Sequence, residues 1–225
     1  MTHNPQALGK AHEVWVESQH REALRLGLLA FEPEHNEPQV QRVRGRLIRV
    51  KRSVSDWTGM LSAARGSRLF AAEAKATVGE RIPKSAVRPH QARYLTKVAA
   101  GGGLAALVVA FRAADDIPRC CAIPWGEVPW STGRWKLGLR VEDALPWEVL
   151  EGECYVGNLL RGEWAAQLSV GSVVAVHDRA TGERAAEPVL LVGAGKHTLL
   201  TEHGQFLDRR TGNFEGGVFF AGWTR

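Results

Sequence analysis

Residues 104–111, LAALVVAF, are eight apolar residues in a row placed directly after three glycines. Side chains of a strand alternate between two faces, so an unbroken apolar run needs cover on both, as in the sheet of an α/β protein. The flanking segments supply that cover. PKSAVRPHQARYLTKVAA (83–100) reads as a helix after Pro89, with Leu95, Val98 and Ala99 on one face, and the glycines at 101–103 stop it. KAHEVWVESQHREALRLGLL (10–29) reads as a second helix, with Val16, Ala23, Leu24 and Leu28 on one stripe, ended by the prolines of FEPEHNEP (31–38). Between the two, RGRLIRVKRSV (44–54) and LFAAEAKAT (69–77) read as strands, the second following the turn signal ARGS. The order helix, strand, strand, helix, strand predicts a mixed α/β core.

The second of these strands raises a chemical question, because it sets Glu73 and Lys75 inside an otherwise apolar, alanine-rich run. Residues i and i+2 of a strand share a face, so the carboxylate and the ammonium project together. Charges placed in apolar surroundings are costly without partners. Asp56, read as lying at the end of the preceding strand in SDWTG, is placed to reach the same side. Two carboxylates beside a lysine suit a hard, oxygen-preferring cation such as Mg²⁺, with the lysine positioning a water. Such a centre in a basic surface is suited to in-line attack on a phosphodiester. Against this stand plain readings: Glu-x-Lys as a surface ion pair, Asp56 as a turn residue, and Glu13 or Glu17 as simple helix solvation.

The charge distribution favours a polyanionic partner. Residues 1–112 hold 18 Lys and Arg against 9 Asp and Glu, while residues 113–225 hold 11 against 15. Within 39–93 there are 13 basic residues and only three acids, Asp56, Glu73 and Glu80. Neutralising phosphates releases condensed counterions, so such a field attracts nucleic acid.

Four blocks, SDWTG, RLFAAEAKAT, PHQARYL and AGGGLAALVVAFR, resemble in order and spacing the RecU-type Holliday junction resolvases and penicillin-binding-protein-related factor A proteins of the PD-(D/E)xK nuclease superfamily. The resemblance covers about residues 9–112. It implies a nuclease-like mixed sheet flanked by helices. It also implies an Mg²⁺-dependent endodeoxyribonuclease, with Mn²⁺ able to substitute, that resolves four-way junctions as a homodimer and leaves a 5′-phosphate and a 3′-hydroxyl. It assigns Glu13 (four residues after Gly9), Asp56 and Glu73 to the metal, and Asp56, Glu73, Lys75 and Gln91 to catalysis. The basic residues expected to face DNA, branched DNA first, are Arg49, Lys51, Arg52, Arg65, Arg68, Lys84 and Arg88. Two departures stand out: Ser55 replaces the proline of the superfamily's name, and the family's basic stalk shrinks here to ATVGERIPKSAVRP. Linear or flapped DNA is the alternative substrate, and a non-catalytic DNA-binding protein the alternative class.

The rest of the chain reads differently. Residues 119–150, rich in tryptophan and with three prolines, are expected to close the core as irregular structure. From about 158, runs such as SVVAVHD, PVLLVGA and GVFFAGW alternate with turn-forming TGE, GAGK and RRTGN, predicting an all-β extension. The predicted division is a nuclease domain over 1–155 and a β-rich module over 156–225. VLLVGAGKHTLL mimics a phosphate-binding loop but has Leu190 where Gly is needed and His197 where Ser or Thr is needed, so no nucleotide cofactor is expected. Cys120, Cys121 and Cys154 lack zinc or disulfide spacing. With no signal-like or membrane-spanning run, the expectation is a cytoplasmic protein without a membrane partner.

Overall fold

The computed structural model describes residues 5–36, 40–43, 46–49, 54–112, 118–131, 138–179, 181, 183–215 and 219–222. They form two compact units, Met1–Glu148 and Val149–Arg225. Each has its own buried apolar cluster.

The first unit is built on a five-stranded mixed sheet. It opens with helix α1 (Pro5–Arg25), followed by β1 (Glu34–His35) and a two-stranded ribbon of β2 (Val40–Val43) and β3 (Arg46–Arg49). β4 (Trp57–Met60) and β5 (Leu69–Val78) come next, then β6 (Arg81–Pro83) and helix α2 (Pro89–Ala100). β7 (Leu104–Arg112) and β8 (Arg119–Pro124) complete the sheet in the order β1-β4-β5-β7-β8. β5 and β7 run parallel in unbroken register from Phe70–Leu104 to Val78–Arg112, and the other pairs are antiparallel. β9 (Gly138–Arg140) pairs with β6, and the short helix α3 (Val141–Ala144) follows it.

The apolar run of β7 is buried from Leu104 to Phe111, as a strand covered on both sides must be. α2 lays Leu95 and Val98 over one face, against Ala71, Ala105 and Leu107. α1 covers the other face, where His20 meets Phe70 edge-on at 5.6 Å. The α1 stripe differs from the expected one. Leu8, His12, Val16, His20 and Ala23 are its buried positions, while Leu24 is 38% exposed. Two histidines hold i, i+4 positions that a hydropathy reading gives to aliphatic residues.

Three further sequence expectations are corrected. Asp56 does not end a strand; it precedes β4, a strand hidden in the turn-like letters WTGM. Part of the stretch expected to be irregular, Arg119–Pro124, is an edge strand of the main sheet. Ala99 is exposed rather than on the buried face of α2. Gly103 permits the tight passage from α2 into β7, since a Cβ there would lie 2.7 Å from Val98 Cγ1 and 2.8 Å from the Leu69 carbonyl.

The second unit begins earlier than the predicted boundary, because α4 (Tyr155–Ala165) and the turn before it belong to it. β10 (Val173–Asp178), β11 (Arg184–Ala194), β12 (Thr198–Thr201), β13 (Phe206–Asp208) and β14 (Phe219–Gly222) form one antiparallel sheet ordered β13-β12-β11-β10-β14. Gly212, just after β13, accepts the Ala221 N–H of β14 at 2.8 Å, so the two edges of the sheet approach each other as in a small barrel. VLLVGAGKHTLL is the β11–β12 hairpin, with Gly195 N–H donating to Thr198 O at its turn, and no helix follows to bind a phosphate. Among the described residues no helix is long and apolar enough to cross a membrane.

Candidate active site

β4 and β5 create the site. Their register pairs Trp57 with Ala72, and one step further along it Asp56 stands opposite Glu73. The Asp56 N–H donates to Glu73 Oε2 at 3.1 Å, and Asp56 Oδ2 accepts the Ala74 N–H at 3.0 Å. Each carboxylate is therefore held by a backbone N–H of the other's segment, Asp56 itself in one case and the residue after Glu73 in the other. Lys75 shares the face of Glu73, as the period of two requires, and its Nζ donates to Glu73 Oε1, to the Ala74 carbonyl at 2.9 Å and to Asp56 Oδ2 at 3.4 Å.

Gln91 arrives from α2 and does two things. Its Oε1 accepts the Arg88 N–H at 2.9 Å, satisfying one of the free donors at the helix start, and its Nε2 donates to Glu73 Oε1. The third helical residue thus locks a carboxylate of the sheet and caps its own helix.

Glu73 is fully buried, while the side chains of Asp56 and Lys75 keep 25% and 20% of their exposure. Burial pushes the Glu73 carboxyl up to about 7, with Lys75 drawing it down and Asp56 pushing it up. Two opposed carboxylates with one ammonium make a donor set of oxygen, with surplus negative charge once Glu73 is ionised. That is the environment a hard divalent cation fits. Asp56 and Glu73 would hold it.

Glu13 lies apart from this pair. It sits on α1, which covers the opposite face of the sheet, and its carboxylate meets Lys10 at 3.7 Å. Among the described residues no three His, Cys, Asp or Glu side chains converge as a metal-holding group. Its neighbour His12 is buried instead, with Nε2 at 3.1 Å from the Val108 carbonyl. Burial, and secondarily Lys75, lower the His12 pKa, so the ring is neutral near pH 7.

Of the basic residues expected to face DNA, Lys51 and Arg52 lie outside the described residues, and Arg49 ends β3. Arg65 closes a 3-10 turn over Ala63–Arg65. Arg68 donates from Nη1 to Gly102 O at 3.1 Å, tying the turn after α2 to the start of β5. Lys84 and Arg88 are exposed at the approach to α2.

Sequence reasoning did not reach the groups that hold Asp56 in place. Asn36 N–H donates to the Asp56 carbonyl at 2.7 Å, and the buried Ser55 hydroxyl donates to Trp57 O at 3.0 Å. Short polar residues flanking an Asp were the available signal, one shared with any turn.

No family model matches the sequence, and no curated protein matches it. Among solved structures the chain is similar to Hjc, a Holliday junction resolvase from the archaeal hyperthermophile Archaeoglobus fulgidus. The match spans 63% of this chain and 94% of that one, at 17% identity and a TM-score of 0.34.

Proposed function

We propose that the first unit is a divalent-cation-dependent endodeoxyribonuclease that resolves four-way junctions by paired nicks, with Mg²⁺ as its metal and Mn²⁺ able to replace it. The convergence of Asp56, Glu73, Lys75 and Gln91 carries this reading. A structural ion pair needs one carboxylate and one ammonium. This cluster spends two carboxylates, one of them fully buried, and recruits a glutamine from another element to fix it.

The division of labour follows from the geometry. Glu73, immobilised by Gln91 and by the Asp56 N–H, offers a fixed oxygen pair. Asp56, partly exposed, faces the solvent from which a phosphodiester arrives. Lys75, held by the Ala74 carbonyl beside both carboxylates, can orient the attacking water and oppose the charge that builds on the phosphate. A bound divalent cation would supply the Lewis acidity. The basic 39–93 segment supplies the attraction for DNA, branched DNA being the preferred substrate and a homodimer the expected form for symmetric nicks. The same residues serve cleavage of linear or flapped DNA, which substrate comparison separates.

Purified protein is assayed on four-way junction, flap, duplex and single-stranded DNA with Mg²⁺, Mn²⁺ or EDTA. Asp56→Asn and Glu73→Gln are each expected to lower cleavage at least about a hundredfold with junction binding in EDTA retained. Cleavage at the wild-type rate in both variants overturns the site.

A further inference from the structure

An ammonium has three N–H donors, and those of Lys75 meet three protein oxygens: Glu73 Oε1, the Ala74 carbonyl at 2.9 Å and, most weakly, Asp56 Oδ2 at 3.4 Å. Orienting a water or meeting a phosphate requires at least one of these donors to be free. The oxygens, by contrast, do not depend on the lysine for their positions. Glu73 is fixed by the Asp56 N–H on Oε2 and by Gln91 Nε2 on Oε1, and Asp56 by the Ala74 N–H on Oδ2 at 3.0 Å. The Ala74 carbonyl belongs to the backbone of β5, in register with Val108 of β7. Two carboxylate oxygens and a main-chain carbonyl, each anchored from elsewhere, thus surround a point that the ammonium fills.

Carboxylate and carbonyl oxygens around one point are also the ligands a hard divalent cation takes. Cation and ammonium cannot share that point, because they repel each other and compete for the same lone pairs. Lys75 is the member able to leave. Its stem is unbranched and flexible, and its side chain keeps 20% exposure beside the 25% of Asp56, which opens a way out to solvent. We propose that Lys75 is a two-position switch worked by the divalent cation. In the metal-free chain its ammonium closes the three-oxygen cradle and offsets the repulsion between the two carboxylates. With a divalent cation bound, Lys75 lies outside the cradle, its donors released for the attacking water and the phosphate. The charge facing the carboxylates then rises from one to two, which favours the exchange. The switch rests on the divalent-cation reading above and adds to it that the metal-free position of Lys75 is not its working position.

The test follows the Lys75 side chain itself, in the wild-type full chain and without DNA, so that no turnover is involved. An ammonium held by several acceptors exchanges its protons with water slowly enough to give a ¹H–¹⁵N signal, whereas a solvated one near neutral pH does not. The Lys75 signals are assigned by their loss in Lys75→Arg. Mg²⁺ is then titrated into metal-free protein, with the heat of binding recorded in parallel. The expected result is a Lys75 ammonium signal in metal-free protein that disappears in step with the Mg²⁺ bound, while the Lys75 Cε relaxes as a mobile side chain. The Cε measurement does not depend on proton exchange, so it separates release of the ammonium from faster exchange in place. Mg²⁺ binding by heat with the ammonium signal kept, or with Cε still rigid, overturns the switch and leaves the metal reading standing. Absence of the ammonium signal in metal-free protein also overturns the switch. Absence of any Mg²⁺ binding overturns the metal reading and the switch together.

Discussion

Two kinds of buried ionisable residue pull the first unit's acid response in opposite directions. His20 is buried against Trp57 and Phe70, and burial lowers its pKa to about 3. The folded state therefore excludes a proton that the unfolded chain accepts near 6.5, so stability is complete above that value and drains away as the pH falls toward 3. Glu73 has the opposite sign in metal-free protein. Its carboxyl holds a proton up to about 7, so acidification favours the folded state through that residue. A wild-type curve sums both, and a difference curve isolates one. His20→Leu is expected to reduce the loss of urea-unfolding free energy between pH 7 and pH 5 in EDTA. An unchanged loss would show that His20 is protonated, and accommodated, in the folded protein. Hydropathy could not flag His20, because a polar letter on a helix stripe announces its burial only through what packs on it. Glu73 and Lys75 were legible for the converse reason: a strand's period of two is rigid, and the alanines around them marked the interior. Gln91 was visible only through resemblance, since its partners come from another element.

At the scale of elements, what could be read were long segments with one dominant period. α2, its glycine stop and β7 stand where the sequence puts them, apart from the exposure of Ala99. The hidden elements are those whose identity comes from a neighbour. β4 is four residues long and exists because β5 pairs with it, and β8 gains its strand state from β7. α4, with two glycines and an asparagine in eleven residues, is a weak helix on propensity and is held by packing. Gly103 shows how closely the legible elements are joined. Gly103→Ala forces a methyl group to within 2.7 Å of Val98 Cγ1 and 2.8 Å of a backbone carbonyl, neither of them the free end of a flexible chain. The expected cost is about 1–3 kcal/mol in urea unfolding. Because the shift lies at the C-terminal end of α2, while Gln91 sits in its first turn, cleavage at temperatures below the transition is expected to fall less than tenfold. A loss matching that of Glu73→Gln would mean that α2 transmits the strain along its whole length.

The whole molecule separates chemistry from a second, independently cored unit. Every residue of the proposed catalytic cluster lies within Met1–Glu148, whereas the most buried ion cluster of the other unit is organised around Glu153. Arg179 donates to both oxygens of Glu153, Nε to Oε1 at 2.6 Å and Nη2 to Oε2 at 2.9 Å, while Asn158 and the Leu150 N–H donate to Oε2 and Arg161 Nη2 lies 3.7 Å from Oε1. Burial acts to raise the Glu153 pKa, but these donors outweigh it and the net shift is downward. Its contribution is therefore present above the ordinary carboxylate value and lost as the pH falls below it. Removing Arg179 takes away the two-pronged donor and leaves the buried Glu153 carboxylate to Arg161, Asn158 and the Leu150 N–H, a loss that burial makes costly. Arg179→Met is expected to destabilise Val149–Arg225 by roughly 1–3 kcal/mol, less than for a stranded charge because Arg161 remains beside Glu153, read as an earlier unfolding transition by calorimetry. With every catalytic side chain in the other unit, metal-dependent cleavage measured below that transition should keep the wild-type rate. If cleavage disappears while the first unit's unfolding transition is unchanged, the β-rich unit takes part in the reaction cycle rather than merely accompanying it. Substrate binding in EDTA then distinguishes a unit that holds DNA from one that assembles the enzyme.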